Sequence, residues 1–364
     1  MSERLAKREM TNQTSYKNIG IIGVGRIGES LLTNLVKENE NLGLNELFVY
    51  SRPNKEKEKE RVEGIIQQIN TINDIIPINH TQELRELGNN SDIIVITIGE
   101  KEGIISREGL TGRYFSDIKK IVEGIGYNPS LLLIATNPVT PNCLVADLYS
   151  RKKINVLGFT RIDYLRAKRI FKGWLEEEGH KDLGGVNLDI LGPHGNGLLV
   201  TNIRIGKAQP IFNNEGMSLY FDDKTKTIER LSLETVKYGE TTFRRTAPDG
   251  TPSVFSDQIL KTLENILKGG RETVSIDVNL SDICRSGLKF PRRPTYMSIP
   301  VMFIRGNFIA DVDYDYINSI PENYRVGLLT TLRNEERKIR LYITKNSNGN
   351  SNEFGLLKEH YKIN

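Results

Sequence analysis

Cysteine is nearly absent: Cys143 and Cys284 are the only two in 364 residues. Two thiols cannot build a disulfide framework or a cysteine-based metal cluster, and their scarcity fits a reducing cytoplasm. Long apolar runs are missing as well. No stretch approaches the roughly 18 residues a bilayer-spanning helix needs. The opening MSERLAKREMTNQTSY carries Glu3 and Glu9 and lacks the apolar core of a secretory signal. A strong charge of either sign is also lacking. Fifty basic residues against 46 acidic ones leave +4, too little to imply nucleic acid without a local basic stripe. The one charged run, KEKEKER at Lys55–Arg61, alternates sign and reads as a solvated helix face. Neither a membrane nor a nucleic acid is therefore an expected partner.

What remains is an ordinary globular composition, 38% hydrophobic and 26% charged, on a chain long enough for two domains. KNIGIIGVGRIGESLLTNLVKE passes from a β-branched apolar run through glycines into a helical pattern. ELFVYS, SDIIVITIG, SLLLIATNP and INVLGF read as further strands; ERVEGIIQQI, YFSDIKKIVEGI and NCLVADLYSR read as the helices between them. Strands apolar along their whole length and alternating with helices indicate a parallel sheet covered on both faces. The expected fold class is α/β: a Rossmann-type doubly wound parallel sheet followed by an α+β domain.

In that second part RIDYLRAKRIFKGWLEEE and SVFSDQILKTLENILKGG read as helices, and VNLDILGPHGNGLLVTNIRIG as two strands around a glycine-rich turn. TVSIDVNL, PTYMSIPVMFIRGNFIADV and RNEERKIRLYITK supply more strands and a closing helix. The expected layout is a polar arm over 1–16, a dinucleotide-binding domain over 17–160, a substrate domain over 161–345 and a flexible tail over 346–364.

Gly23, Gly25 and Gly28 form G-x-G-x-x-G directly after the first strand and open the first helix. The first glycine permits a tight turn, the second lets a pyrophosphate approach backbone, and the third lets helix and strand pack closely. The N–H groups around Arg26 and Ile27 then face the phosphates. Gly99, closing a later strand, is placed with the same cofactor set. At the end of the second strand, where a carboxylate usually binds the ribose of NAD, the sequence reads Tyr50-Ser51-Arg52. Ser51 can donate to a phosphate and Arg52 can pair with it, with Lys55 nearby. NADP(H) is favoured on this ground, with NAD(H) possible.

Four further motifs follow in order: Ser106-Arg107, Thr136-Asn137-Pro138, Asp163-x-x-Arg166, and Gly192-Pro193-His194-Gly195. Together with the dinucleotide loop they resemble the lactate/malate dehydrogenase family over roughly Lys17 to Lys345. The resemblance implies hydride transfer between a nicotinamide and a small 2-oxo or 2-hydroxy acid. His194 would then give or take the proton, because its ordinary range lies near neutrality, and Asp163 would orient its ring. Arg166 would clamp the substrate carboxylate, Arg107 would polarise the carbonyl from a mobile loop over 99–112, and Asn137 would hydrogen-bond substrate. Lys101, near the position that selects substrates in that family, would attract a second carboxylate, which favours a dicarboxylic acid such as oxaloacetate. A homodimer or homotetramer is implied as well.

Several positions depart from the family pattern. Tyr114 and Phe115 replace an asparagine, Thr140 replaces the aspartate that often follows Asn-Pro-Val, and Tyr164 and Leu165 replace small residues. Pro193 stands where glutamate is common. Thr251 and Ser253 are further candidates to line the pocket. The leading expectation is a malate dehydrogenase-like enzyme, with an L-lactate or other L-2-hydroxy-acid dehydrogenase as alternative. Two readings of other classes stand beside it: a non-catalytic dinucleotide-binding sensor, and an NAD- and metal-dependent glycosidase.

Overall fold

A computed structural model describes residues 17–72, 75–99, 107–180, 185–194, 197–245, 251–269, 274–280, 296–303, 310–312, 320–346 and 355–362. The first half alternates strand and helix: β1 (Lys17–Ile22), α1 (Arg26–Lys37), β2 (Leu44–Tyr50), α2 (Glu56–Ile72), β3 (Ile78–Thr81), α3 (Leu84–Asn90), β4 (Ile93–Ile96), α4 (Arg107–Ile125), β5 (Leu131–Ile134), α5 (Val139–Tyr149) and β6 (Asn155–Gly158). The second half contributes α6 (Arg161–Glu177), β7 (Val186–Leu191), β8 (Leu199–Ile205), α7 (Ile228–Arg245), α8 (Thr251–Lys268), β9 (Val274–Asn279), β10 (Tyr296–Phe303), β11 (Ala310–Val312), α9 (Glu322–Asn346) and α10 (Gly355–Tyr361).

Nine strands form one sheet in the order β11-β10-β9-β6-β5-β4-β1-β2-β3. β1 to β6 are parallel, and the order reverses between β1 and β4, the switch point where an α/β sheet opens a crevice at its carboxyl edge. β9, β10 and β11 continue the sheet in antiparallel fashion beyond β6. β7 and β8 pair separately, tied to β10 by a bridge between Gly192 and Ser298.

Covering helices explain the all-apolar strands: IIVI of β4 and LLLI of β5 are buried throughout. Alternate side chains serve opposite faces. Ile19 and Ile21 pack with Leu31 and Leu35 of α1, and that cluster continues to Phe171 and Trp174 of α6 and Ile259 and Leu263 of α8. On the other face Ile22, Ile94 and Ile96 join Phe115 and Ile118 of α4, Val145 of α5 and Ile343 of α9. Among the described residues no helix is long and apolar enough to cross a membrane.

The sequence reading missed β3 and α3. Both lack the apolar signature it relied on: β3 is an edge strand reading INHT and only half-buried, and α3 is seven residues long. RNEERKIRLYITK is helical throughout, as part of α9.

Candidate active site

The glycine loop after β1 presents backbone. Gly23 takes φ +98°, and a Cβ there would come within 2.7 Å of the Ile98 nitrogen at the end of β4. A Cβ on Gly28 would lie 2.3 Å from the Gly23 carbonyl oxygen. The Thr97 hydroxyl donates to that same carbonyl at 2.7 Å, pinning the turn to the neighbouring strand. Gly25 differs: nothing lies within 4 Å of where its Cβ would stand. It caps α1 with no side-chain hydrogen bond to the helix's first N–H groups. Uncapped N–H groups behind an open glycine fit a pyrophosphate, with the helix dipole adding to the attraction.

Downstream of β2 the structure places Ser51 fully buried, its hydroxyl 2.8 Å from Nε2 of His80. Arg52 is exposed and pairs with Glu58 of α2: its Nε and Nη2 donate to Oε2 at 2.9 and 2.6 Å, and its backbone N–H to Oε1 at 3.2 Å. Glu58 belongs to the alternating charge run that reads as a solvated face in the sequence, yet it pairs with the loop after β2. Its signal was its spacing, six residues after Arg52, within the alternating charge run.

The side-chain cluster assembles at the carboxyl ends of β5 and β6. Asp163 lies in the first turn of α6 with 1% of its surface exposed. Its Oδ2 accepts from His194 Nδ1 at 2.6 Å and its Oδ1 from Arg166 Nη1 at 3.0 Å, one helical turn on. Burial alone would push this carboxyl up. The charges and hydrogen bonds of His194 and Arg166 outweigh that and hold it below the ordinary carboxylate value. An ionised Asp163 has no proton to give, so the short bond is Nδ1–H donating to the carboxylate. The ring orientation is thereby fixed, and Nε2 is left without a protein partner among the described residues. That nitrogen can hold a proton or accept one.

Thr140, in the first turn of α5, extends the cluster. Its hydroxyl donates to Oδ2 of Asp277 on β9 at 2.5 Å and accepts from the His194 backbone N–H at 3.3 Å. Asp277 was not anticipated. The signal available was a carboxylate in the middle of TVSIDVNL, a strand whose every residue is buried.

Asn137 is exposed at the carboxyl end of β5, and Gly99 is exposed after β4. Arg107 is the first residue of α4, so the second half of the expected mobile loop is helix. Lys101 and the rest of that loop lie outside the described residues. Thr251 begins α8, and the carbonyl of Ser253 accepts from Ser256. Among the described residues no group of three or more His, Cys, Asp or Glu side chains could hold a metal ion.

Protein-family profiles and curated protein sequences give no significant match. Solved structures do. The chain is similar to malate dehydrogenase from Plasmodium falciparum, with a TM-score of 0.71 and 17% identity over 90% of this chain and 99% of that one. It is similar to a lactate dehydrogenase from a Medee basin deep-sea metagenome library, with a TM-score of 0.69 and 18% identity over 90% and 99%. A lactate dehydrogenase from Eimeria maxima, solved with NADH and oxamate, matches with a TM-score of 0.67 and 15% identity over 92% and 96%. The fold is the one these lactate and malate dehydrogenase structures share: a Rossmann-type α/β sheet continued by a second, mixed α and β half.

Proposed function

We propose that this chain is an NAD(P)-dependent 2-hydroxy-acid dehydrogenase of the malate dehydrogenase kind, reducing oxaloacetate to malate with uptake of one hydride and one proton. The observation that carries this reading is the Asp163–His194–Arg166 cluster, standing at the same carboxyl edge of the sheet as the glycine loop. A dinucleotide fold alone needs no histidine aimed by a buried aspartate.

The cofactor, when bound, supplies the hydride to the substrate's C2. The chain supplies the rest. Nε2 of His194 gives its proton to the C2 oxygen, and Asp163 steadies both the ring and its cationic form. Arg166 spends Nη1 on Asp163 and keeps Nε and Nη2 without protein partners among the described residues, enough for a fork onto the substrate carboxylate. Asn137 hydrogen-bonds substrate from the end of β5. Arg107 polarises the carbonyl, and Lys101 attracts the second carboxylate. The segment 17–160 carries the cofactor and 161–345 most of the substrate contacts.

NADP(H) is proposed over NAD(H), supported by Arg52 and by the lack of a carboxylate at Ser51. The 2′-phosphate would take Arg52 from Glu58, one anion exchanging for another. A cytoplasmic homodimer or homotetramer completes the reading, and light scattering after size exclusion reads the assembly.

The deciding experiment is a substrate panel with both cofactors. Oxaloacetate is expected to be reduced faster than pyruvate or longer 2-oxo acids, and NADPH to be used better than NADH. Pyruvate equal to oxaloacetate would move the reading to an L-lactate or other L-2-hydroxy-acid dehydrogenase. Equal or better use of NADH would end the NADP preference. No reduction of any 2-oxo acid would leave a dinucleotide-binding sensor.

A further inference from the structure

One ionisable side chain that the proposed reaction does not use lies against the same cluster. Asp277 has no exposed surface, and no Lys or Arg among the described residues pairs with it. Its Oδ2 accepts from Thr140, while its Oδ1 has no hydrogen-bond partner among the described residues. A buried carboxyl with half its acceptor capacity unused is costly, and native interiors rarely carry one without a use. The fold makes room for it. Gly158 of β6 stands opposite Asp277 in the sheet. A Cβ there would come within 2.7 Å of the Asp277 Cβ, the Cys143 sulfur and a Val139 methyl.

The surroundings are sparse in charge. α5 presents Cys143, with Asp147 one turn on, and burial together with these two carboxylates pushes the thiol well up, leaving it uncharged. β10 places Ser298 in register with Asp277, and β6 offers only Gly158. α6 contributes Asp163, already paired with Arg166. Among the described residues the side chain that can bring positive charge to bear on Asp277 is His194. Burial, with Asp163 adding to it, outweighs the Thr140 hydrogen bond and the His194 charge and leaves the Asp277 carboxyl raised to about 7.

We propose that Asp277 is a positioning residue for His194, tethered to the histidine backbone through Thr140, and that its carboxylate and the imidazolium stabilise one another across that tether. A charge on the imidazole favours release of the Asp277 proton, and the carboxylate in turn favours the cationic ring. With Arg166 and Asp163 included, the formal charges of the buried set sum to zero when His194 is cationic and Asp277 ionised. Without Asp277 the set would gain a net positive charge whenever His194 is protonated, and an uncompensated charge is what a low-dielectric site disfavours. The inference rests on reading His194 as the proton-handling group.

The test reads the carboxyl itself, by pH-difference infrared spectroscopy of the full-length protein without substrate. A protonated-acid C=O band titrating near neutrality is expected in the wild type and absent from Asp277→Asn. His194→Gln and Thr140→Val should each move its midpoint upward by roughly one pH unit, a tenfold change in proton affinity, because each removes support from the anion. Thr140→Ser should leave it in place. Should Asp277→Asn not fold, the His194→Gln and Thr140→Val shifts decide alone. No such band in the wild type, or a midpoint that His194→Gln leaves unmoved, would overturn the proposal. The spectroscopic result is independent of turnover, so failure to reduce any 2-oxo acid and failure of the coupling are separate outcomes.

Discussion

The glycine loop and the histidine cluster solve opposite problems with opposite materials. Gly23 to Gly28 is a contiguous stretch that presents backbone, and Gly23 and Gly28 lack side chains where a Cβ would collide with the chain. The cluster draws Thr140 from the start of α5, Asp163 and Arg166 from α6, His194 from the loop after β7, and Asp277 from β9. It works through largely buried side chains whose charges compensate one another. One site is therefore fragile to added atoms, the other to a lost charge.

Removing a charge should have the largest effect. His194→Gln keeps approximate size but cannot hold a transferable proton, and turnover is expected to fall about 10²- to 10⁴-fold with little change in cofactor affinity. Steady-state kinetics beside a cofactor titration check this. Asp163→Asn should cost a similar factor, because an amide can no longer hold the ring's N–H and its positive charge together. If cofactor affinity fell as far as turnover, the two sites would not be separable in this way.

The cluster should also leave a mark on stability. Asp277 has its folded value raised from the ordinary 3.8 to about 7, so the folded chain holds a proton that the unfolded chain releases. Stability on its account is full below pH 4, declines as pH rises toward 7, and stays reduced above it. The span of about three units corresponds to about 4 kcal/mol. Asp277→Asn should remove that decline and raise the midpoint of urea unfolding at pH 8, while leaving stability at pH 4 nearly unchanged. Asp163 acts in the opposite sense. Its value is held low, so its contribution is present above the ordinary carboxylate range and lost as pH falls through it.

Adding atoms tests the other site. Gly28→Ala places a methyl 2.3 Å from the Gly23 carbonyl oxygen, which forces the turn open and should cost about 1–3 kcal/mol of stability. Gly25→Ala meets nothing within 4 Å and needs no left-handed backbone. Thermal stability should stay near wild type while cofactor affinity drops about tenfold, since the methyl occupies the space a pyrophosphate would approach. An unchanged affinity in Gly25→Ala would mean the phosphates do not lie over this glycine.

The same contrast decides how much could be read in advance. A contiguous backbone site leaves a contiguous sequence signal, and the six apolar stretches of the doubly wound half were legible except for β3, whose polar Asn79 and His80 hide an edge strand. Asp163, Arg166 and His194 were legible through an ordered resemblance, and the structure brings them into hydrogen-bond contact. Asp277 and Thr140 were not placed with them. Their meeting depends on β9 joining β6, which brings Asp277 to Thr140 across 137 residues of chain, a tertiary pairing that no local pattern encodes. The Arg52–Glu58 pair escaped for a different reason: a charge run looks alike whether its members face water or a cofactor.

That pair offers the smallest effect and a specific one. Glu58 contacts Arg52 through three hydrogen bonds and, on the proposed reading, competes for that arginine with a 2′-phosphate. It holds Arg52 above its ordinary value through that contact, yet the arginine is two-thirds exposed, so the pair adds little to stability and Glu58→Gln should unfold at the wild-type temperature. Its consequence lies in selectivity. Freed from a competing carboxylate, Arg52 should bind a phosphate more readily, raising preference for NADPH over NADH by a few-fold, most visibly at low ionic strength. Arg52→Gln should move preference the other way. If both variants leave the NADPH-to-NADH ratio at the wild-type value, the end of β2 is not where the two cofactors are distinguished, and the absence of a carboxylate at Ser51 carries no information about the choice.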